Sequence, residues 1–211
     1  MTVETAILPD RSALLRRGRR LEILTIGWNF VEAIVSVAAG FLAGSVSLIG
    51  FGIDSVIESL SGAVLLWRLA EDQGGREVRA RKLVAVTFFL LAAYVAIGSV
   101  RSLVAHRPPE ASWIGIVIAA LSLAVMPVLA RAKRRVAAGL SSSALVSDSR
   151  QTDLCAVLSA ILLAGLAANA WLGWWWADPV AGLVMVPIIA WEGRRAWRGE
   201  ECGDCHPGGL R

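Results

Sequence analysis

Two carboxylates stand in an apolar stretch of the sequence, where a charged side chain is costly. Asp54 and Glu58 are four residues apart, so on a helix they share one face about one turn from each other. Two ionised carboxylates so placed repel, unless one of them holds a proton or a divalent cation bridges both. The pair therefore predicts a site for a dication that is exchanged for protons. Neutral acids hydrogen-bonded between helices, or acids at a watery vestibule, are the alternative.

A second polar stripe occurs later in the chain, with the spacing of one helix face. Its members are Asp148, Gln151, Thr152, Cys155 and Ser159. Cys155 has two readings, because a thiolate is a strong ligand for zinc-like ions and a small side chain also suits helix packing. Asp153 falls off this stripe and points toward another helix or toward the headgroups.

Two further groups of residues are accessory candidates. Asn29 and Glu32 lie three residues apart on one face of the first apolar segment. They either extend a polar pathway or bond to a neighbouring helix. Near the C-terminus, Cys202, Cys205 and His206 could capture a soft cation, or could be free solvated groups.

The composition places these residues in a membrane protein. The chain of 211 residues is 56% hydrophobic and 18% charged, and its mean hydropathy is +0.61. Its apolar stretches have the roughly 20 residues that a helix needs to cross the hydrocarbon layer. The net charge of +4 comes from basic residues at the ends of these stretches, as in topology determinants. The sequence therefore predicts a lipid-embedded protein and no nucleic-acid partner.

Six apolar segments predict an all-α bundle of six transmembrane helices. The predicted spans are residues 21–43, 46–70, 83–104, 112–130, 144–171 and 178–193, in a membrane domain of residues 21–198. Residues 1–20 are predicted as a basic cytoplasmic arm and residues 199–211 as a short cytoplasmic tail. The stretch 71–82 is predicted as a loop, and Arg131–Arg135 as a basic connector. The positive-inside bias places both termini in the cytoplasm.

The segments around the acids resemble the cation diffusion facilitator family of metal transporters. The first two spans resemble it most closely, through Gly44-Ser45-Val46-Ser47-Leu48 and then Asp54-Ser55-Val56-Ile57-Glu58, where the family has D-x-x-x-D. The last two spans match through Ala144–Asp148 and Trp176–Ala181. The resemblance covers about residues 29–193, and its third and fourth spans match only in hydrophobic character.

The sequence departs from the family pattern in its fifth span and after its sixth. The family's fifth span usually supplies H-x-x-x-D, which completes a tetrahedral site, but Gln151 and Cys155 hold those positions here. A shift of one or two residues would bring in Asp153 instead. The membrane segments contain no histidine, so the family's usual zinc selectivity does not follow. The expectation is also a short form without the family's cytoplasmic C-terminal domain.

Together with the residues, the resemblance implies a transporter that exports divalent metal cations by alternating access and proton antiport. The metal ligands would be Asp54, Glu58, Asp148, Gln151 and Cys155. The metal (zinc, cobalt, iron, manganese, cadmium or nickel) would be cargo, with no permanently bound cofactor. The resemblance further implies a homodimer, and the expected location is the cell membrane.

Two other functions remain open at this point. An exporter of small organic cations would use Asp54 and Glu58 as proton-coupled counter-charges and Trp28, Trp67 and Trp113 as stacking walls. A non-transporting membrane subunit would bind a partner through its helices. An enzyme is not predicted, because the sequence has no H-E-x-x-H, no Ser/His/Asp set within reach and no phosphate-cradling glycine loop.

Overall fold

The computed structural model describes residues 11–68, 74–140 and 142–198, which form a bundle of α-helices. In chain order these are α1 (Arg11–Ala43), α2 (Val46–Arg68), α3 (Gly74–Val104), α4 (Trp113–Leu140), α5 (Ser143–Leu172) and α6 (Ala177–Arg198). Hydrocarbon offers no water to backbone groups, so apolar segments of this length form helices, which bond their peptide groups internally. The predicted all-α membrane fold is confirmed.

Within the described ranges, five helices, α1 to α5, are long and apolar enough to cross a membrane. α6 is not among them, since it carries charges in its first and last turns. It nevertheless packs antiparallel to α3. Gly182 faces Ser99 near one end, and Gly193 faces Phe88 near the other. α6 therefore covers the same depth of the bundle as the apolar part of α3.

Four helices, α1, α3, α4 and α6, continue several residues beyond the apolar segments predicted from the sequence. The predicted connector Arg131–Arg135 is wrong, because α4 continues through it to Leu140. Arginine and lysine are good helix formers, so a basic run does not interrupt a helix. In the same way, α3 begins at Gly74, inside the predicted loop, and α1 begins at Arg11, inside the predicted arm. Charged residues mark where a helix leaves the apolar layer, rather than where it ends.

Three helix ends have a defined turn or cap. Gly44 takes the left-handed conformation (φ +68°) between α1 and α2, which makes these helices a tight hairpin. At the start of α5, the Ser142 hydroxyl accepts a hydrogen bond from the Leu145 backbone N–H. Gly173 ends the same helix with φ +67°.

Helices α2 and α5 lie at the centre of the bundle. α2 packs against α1, α3, α5 and α6, and α5 packs against α2, α4 and α6. The outer contacts are those of α1 with α4 and of α3 with α6. Because α2 and α5 are central, the side chains between them face the interior of the bundle.

One end of the bundle is rich in arginine. α1, α3 and α5 begin at this end, α2, α4 and α6 end at it, and most of the arginines lie at it. This end is called the arginine-rich end below.

Candidate metal-binding interior

The donors predicted in the membrane segments are buried in the bundle, with one exception. The buried ones are Asn29, Glu32, Asp54, Glu58, Asp148, Gln151 and Cys155. The exception is Asp153, whose side chain is 36% exposed and pairs with Arg134 on the outside of the bundle. The structure therefore does not bring the alternative ligand Asp153 to the other acids. Cys202, Cys205 and His206 lie outside the described residues.

A buried lysine lies among the acids near the arginine-rich end. The Lys133 ammonium group is 2.6 Å from Asp148 Oδ2 and 2.9 Å from Glu22 Oε2. It also lies 3.4 Å from the Thr152 hydroxyl, which donates a hydrogen bond of 3.0 Å to Glu58 Oε1. We call these five residues the lysine cluster. It joins side chains of α1, α2, α4 and α5.

Sequence reasoning missed Glu22 and Lys133, although a signal for each was present. Lys133 was counted with the basic connector, yet it follows Met126 and Ala130 at the spacing of one helix face. These two residues are fully buried, and so is Lys133. Glu22 stands on the same face of α1 as Asn29, because seven residues make two helical turns. Continuing each stripe past the apolar segment would have found both residues.

Glu32 is held deeper in the bundle by three donors from different positions. Trp28 Nε1 donates to Glu32 Oε2 at 2.7 Å, and the Ser55 hydroxyl donates to Glu32 Oε1 at 2.8 Å. Cys155 Sγ lies 3.8 Å from the same Oε1. Cys155 thus contacts a carboxylate, which pure packing does not require. The accessory residue Glu32 connects α1 with the central helices α2 and α5.

Asp54 faces a different neighbourhood from Glu58, although both lie on the inner side of α2. Asp54 lines a narrow cavity together with Gln151 of α5 and Glu192 of α6. The Glu192 side chain is buried and lies 3.4 Å from an Arg195 nitrogen. Glu192 was not predicted as a site residue, because its segment ends in a run of arginines. The two acids of α2 therefore reach α6 and the lysine cluster respectively.

Several buried polar atoms of this interior have no hydrogen-bond partner in the described part of the chain. They include Glu58 Oε2, Gln151 Nε2, both amide atoms of Asn29, and Glu22 Oε2, whose contact with Lys133 is an ion pair without hydrogen-bond geometry. Buried polar atoms normally bond to protein or to ordered water. Within the described ranges, no three His, Cys, Asp or Glu side chains are grouped as a ready metal site. Instead, a neutral polar side chain lies beside each of three acids: Thr152 beside Glu58, Ser55 beside Glu32 and Gln151 beside Asp54.

At the opposite end of the bundle, a single acid ties two helices together. Asp178, in the first turn of α6, is 1% exposed and accepts hydrogen bonds from the hydroxyls of Ser45 and Ser47. The Ser45 bond measures 2.7 Å. Asp178 thus fixes the start of α6 to the start of α2, far from the lysine cluster.

Comparison with known proteins identifies the family to which the chain belongs. A family model described as the cation efflux transmembrane domain matches residues 76–198, more than half of the chain. The chain belongs to the cation efflux family. The resemblance drawn from the motifs around Asp54 and Asp148 is thereby confirmed. The match to the cation efflux model begins in α3, so α1 and α2 lie outside it.

Two relatives of this cation efflux family member share a larger part of the chain. This chain is 26% identical over 171 residues to "Transmembrane protein 163" of Xenopus laevis, and the alignment covers 79% of this chain and 61% of that protein. It is 25% identical over 196 residues to an "uncharacterized transporter" of Synechocystis sp., covering 87% of this chain and 63% of that one. The chain spans about three fifths of the length of these relatives.

Proposed function

We propose that this cation efflux family member moves divalent metal cations across the membrane in exchange for protons. The ion would pass between α2 and α5, with Asp54 and Glu58 as its first carboxylate ligands. Asp148, Gln151 and Cys155 would serve as further ligands from α5. The family description, cation efflux, supports export as the direction of transport, and we place the protein in the cell membrane.

The burial of Glu32, Asp54 and Glu58 carries this proposal. Each is at most 5% exposed, and they lie on adjoining faces of α1 and α2 beside α5. A carboxylate at membrane depth is costly and needs a partner, water or a cation. The one buried lysine, Lys133, pairs with Glu22 and Asp148 instead. A dication that is replaced by protons would compensate the remaining acids in both halves of a transport cycle.

The available donors bear on which metals are carried. Carboxylates, hydroxyls and amide oxygens suit harder ions such as Mn²⁺, and the Cys155 thiol suits softer ones such as Cd²⁺ and Zn²⁺. Because the donors are spread over several helical turns, a bound ion must draw some of them together. Helix movement of this kind is what alternating access requires.

Transport into proteoliposomes tests the proposal. The panel would contain Zn²⁺, Co²⁺, Fe²⁺, Mn²⁺, Cd²⁺ and Ni²⁺, each driven by an acidic vesicle interior. Asp54→Asn and Glu58→Gln should each lower uptake by roughly tenfold or more, the size of effect typical of metal-site residues. Glu110→Gln is the matched control, because Glu110 is exposed in the α3–α4 loop.

Three results would contradict metal transport by these acids. Uptake of organic cations alone would favour an organic-cation exporter. No flux of any ion, with Asp54→Asn indistinguishable from wild type, would favour a non-transporting subunit. Metal uptake that persists unchanged after the pH gradient is collapsed would show that metal transport is not driven by exchange for protons.

A further inference from the structure

Lys133 is held like a bound cation. It is 1% exposed, and its ammonium group contacts oxygens of Asp148, Glu22 and Thr152 at 2.6, 2.9 and 3.4 Å. The contacts with Asp148 and Thr152 are hydrogen bonds, and the contact with Glu22 Oε2 is an ion pair. The ammonium group is therefore paired with two carboxylates, as a metal ion at this place would be.

The position of this ammonium group overlaps with the proposed ion pathway. Asp148 is one of the predicted metal ligands, and Thr152 links Lys133 to Glu58, another of them. A carboxylate oxygen that contacts an ammonium group at 2.6 Å has no room for a metal ion on that side. A dication that takes this Asp148 oxygen must therefore displace the ammonium group from it.

We propose that Lys133 is a tethered competitor, whose ammonium group occupies Asp148 until an incoming dication displaces it onto Glu22. This inference rests on the proposed function and names a specificity-determining residue for it. Glu22 already contacts Lys133, so the ammonium group keeps a carboxylate partner after it leaves Asp148. The displaced charge therefore remains paired inside the bundle.

A competitor of this kind weakens metal binding, because the ion must first break the Lys133–Asp148 contact. Removing the ammonium group should consequently tighten binding, although a cation has been lost from an acidic site. However, removing any positive charge near the site would also tighten metal binding, by electrostatics alone. A control must therefore remove a neighbouring cation that does not touch Asp148. Arg134, next in sequence and paired with Asp153 on the outer surface, supplies that control.

Equilibrium dialysis of Co²⁺ against the purified protein in detergent measures the effect. We expect Lys133→Met to bind Co²⁺ about tenfold or more tightly than wild type, a change of about 1.4 kcal/mol. Arg134→Met should stay within about twofold of wild type, since exposed ion pairs contribute little. Equal tightening in both variants, or none in Lys133→Met, would overturn the competitor role.

Lys133→Met leaves Glu22 and Asp148 buried together and can disturb folding. The double variant Glu22→Gln with Lys133→Met removes one charge of each sign and frees Asp148. It should bind Co²⁺ at least as tightly as wild type, and weaker binding by this variant, when helical and monodisperse, would contradict the proposal.

The failure of this inference can be told apart from the failure of metal transport. If wild type binds and transports Co²⁺ and the Lys133 results are negative, the competitor role alone is wrong. If wild type neither binds nor transports any dication of the panel, the proposed function fails, and the Lys133 inference fails with it.

Discussion

The buried acids in this bundle fall into groups with different kinds of partner, and this difference gives the groups separate roles. Glu22 and Asp148 contact an ammonium group, and Glu58 accepts a hydroxyl hydrogen bond. Glu32 contacts an indole N–H, a serine hydroxyl and a thiol. Asp54 faces an amide and another acid across a cavity. Ion binding at Asp54 or Glu58 would disturb fewer existing ion pairs than binding at Asp148.

Cys155 offers a test at the scale of a single residue. Cys155→Ser replaces the soft sulfur by a hard oxygen of similar size. If the thiol ligates the ion, transport of Cd²⁺ relative to Mn²⁺ should fall by about tenfold, measured as the ratio of uptake rates. Ser159→Ala, one turn further along the same stripe, is the control. A Cd²⁺/Mn²⁺ ratio equal in both variants and wild type would assign Cys155 to helix packing.

At the scale of the helices, the α1–α2 hairpin positions two of the acid-bearing faces. The backbones approach closely at Gly52, where a Cβ atom would lie 2.9 Å from the Val37 nitrogen and 3.1 Å from the Ala33 carbonyl oxygen. Because these are backbone atoms, the strain can be relieved only by separating the helices. One turn away, Ser55 donates to Glu32 across the same interface. Close contact and acid placement therefore depend on each other.

Gly52→Ala should consequently destabilise the bundle by roughly 1–3 kcal/mol, as overpacking does. Thermal unfolding in detergent measures this effect. Gly27→Ala is the matched control on α1, because no atom of another described residue outside its own turn of helix lies within 4 Å of its Cβ position. That variant should be neutral or more stable by up to about 1 kcal/mol, since alanine favours helix. Equal stability of the two variants would refute the close approach.

At the scale of the whole molecule, the two ends of the bundle differ in kind. The arginine-rich end contains the lysine cluster, in which four helices meet at one charge network. The opposite end is joined by Asp178, which accepts hydrogen bonds from the neutral groups of Ser45 and Ser47 at the start of α2. Charged contacts that an ion could exchange are therefore concentrated near the predicted cytoplasmic end.

The number of buried acids also predicts how the whole molecule responds to pH. Carboxylates bind a metal ion only in their deprotonated form, so protons and metal compete. Co²⁺ affinity should rise as the pH rises and weaken as it falls, and Co²⁺ binding should release protons into a weakly buffered solution containing an indicator dye. Asp54→Asn combined with Glu58→Gln should release fewer protons. A Co²⁺ affinity that does not change with pH, together with no proton release on binding, would exclude the exchange of metal for protons.

The local sequence was sufficient for the membrane class, the helix count and the burial of most donors. Apolar stretches of spanning length must be helical, and an acid within one of them avoids lipid. Helical periodicity then places Asp54 and Glu58, or Gln151 and Cys155, on inner faces before any tertiary contact is known. Helix ends were less predictable, because arginine and lysine continue a helix beyond the apolar layer.

Only the tertiary structure decided which polar groups meet. Lys133 and Glu22 are more than 100 residues apart in sequence, and Cys155 reaches Glu32 across a separation of 123 residues. Such contacts depend on how each helix is rotated and at what depth it packs, and no single helix encodes either quantity. The same rotations turn Lys133 inward and Asp153 outward, although the basic run around Lys133 suggested a solvent-facing connector.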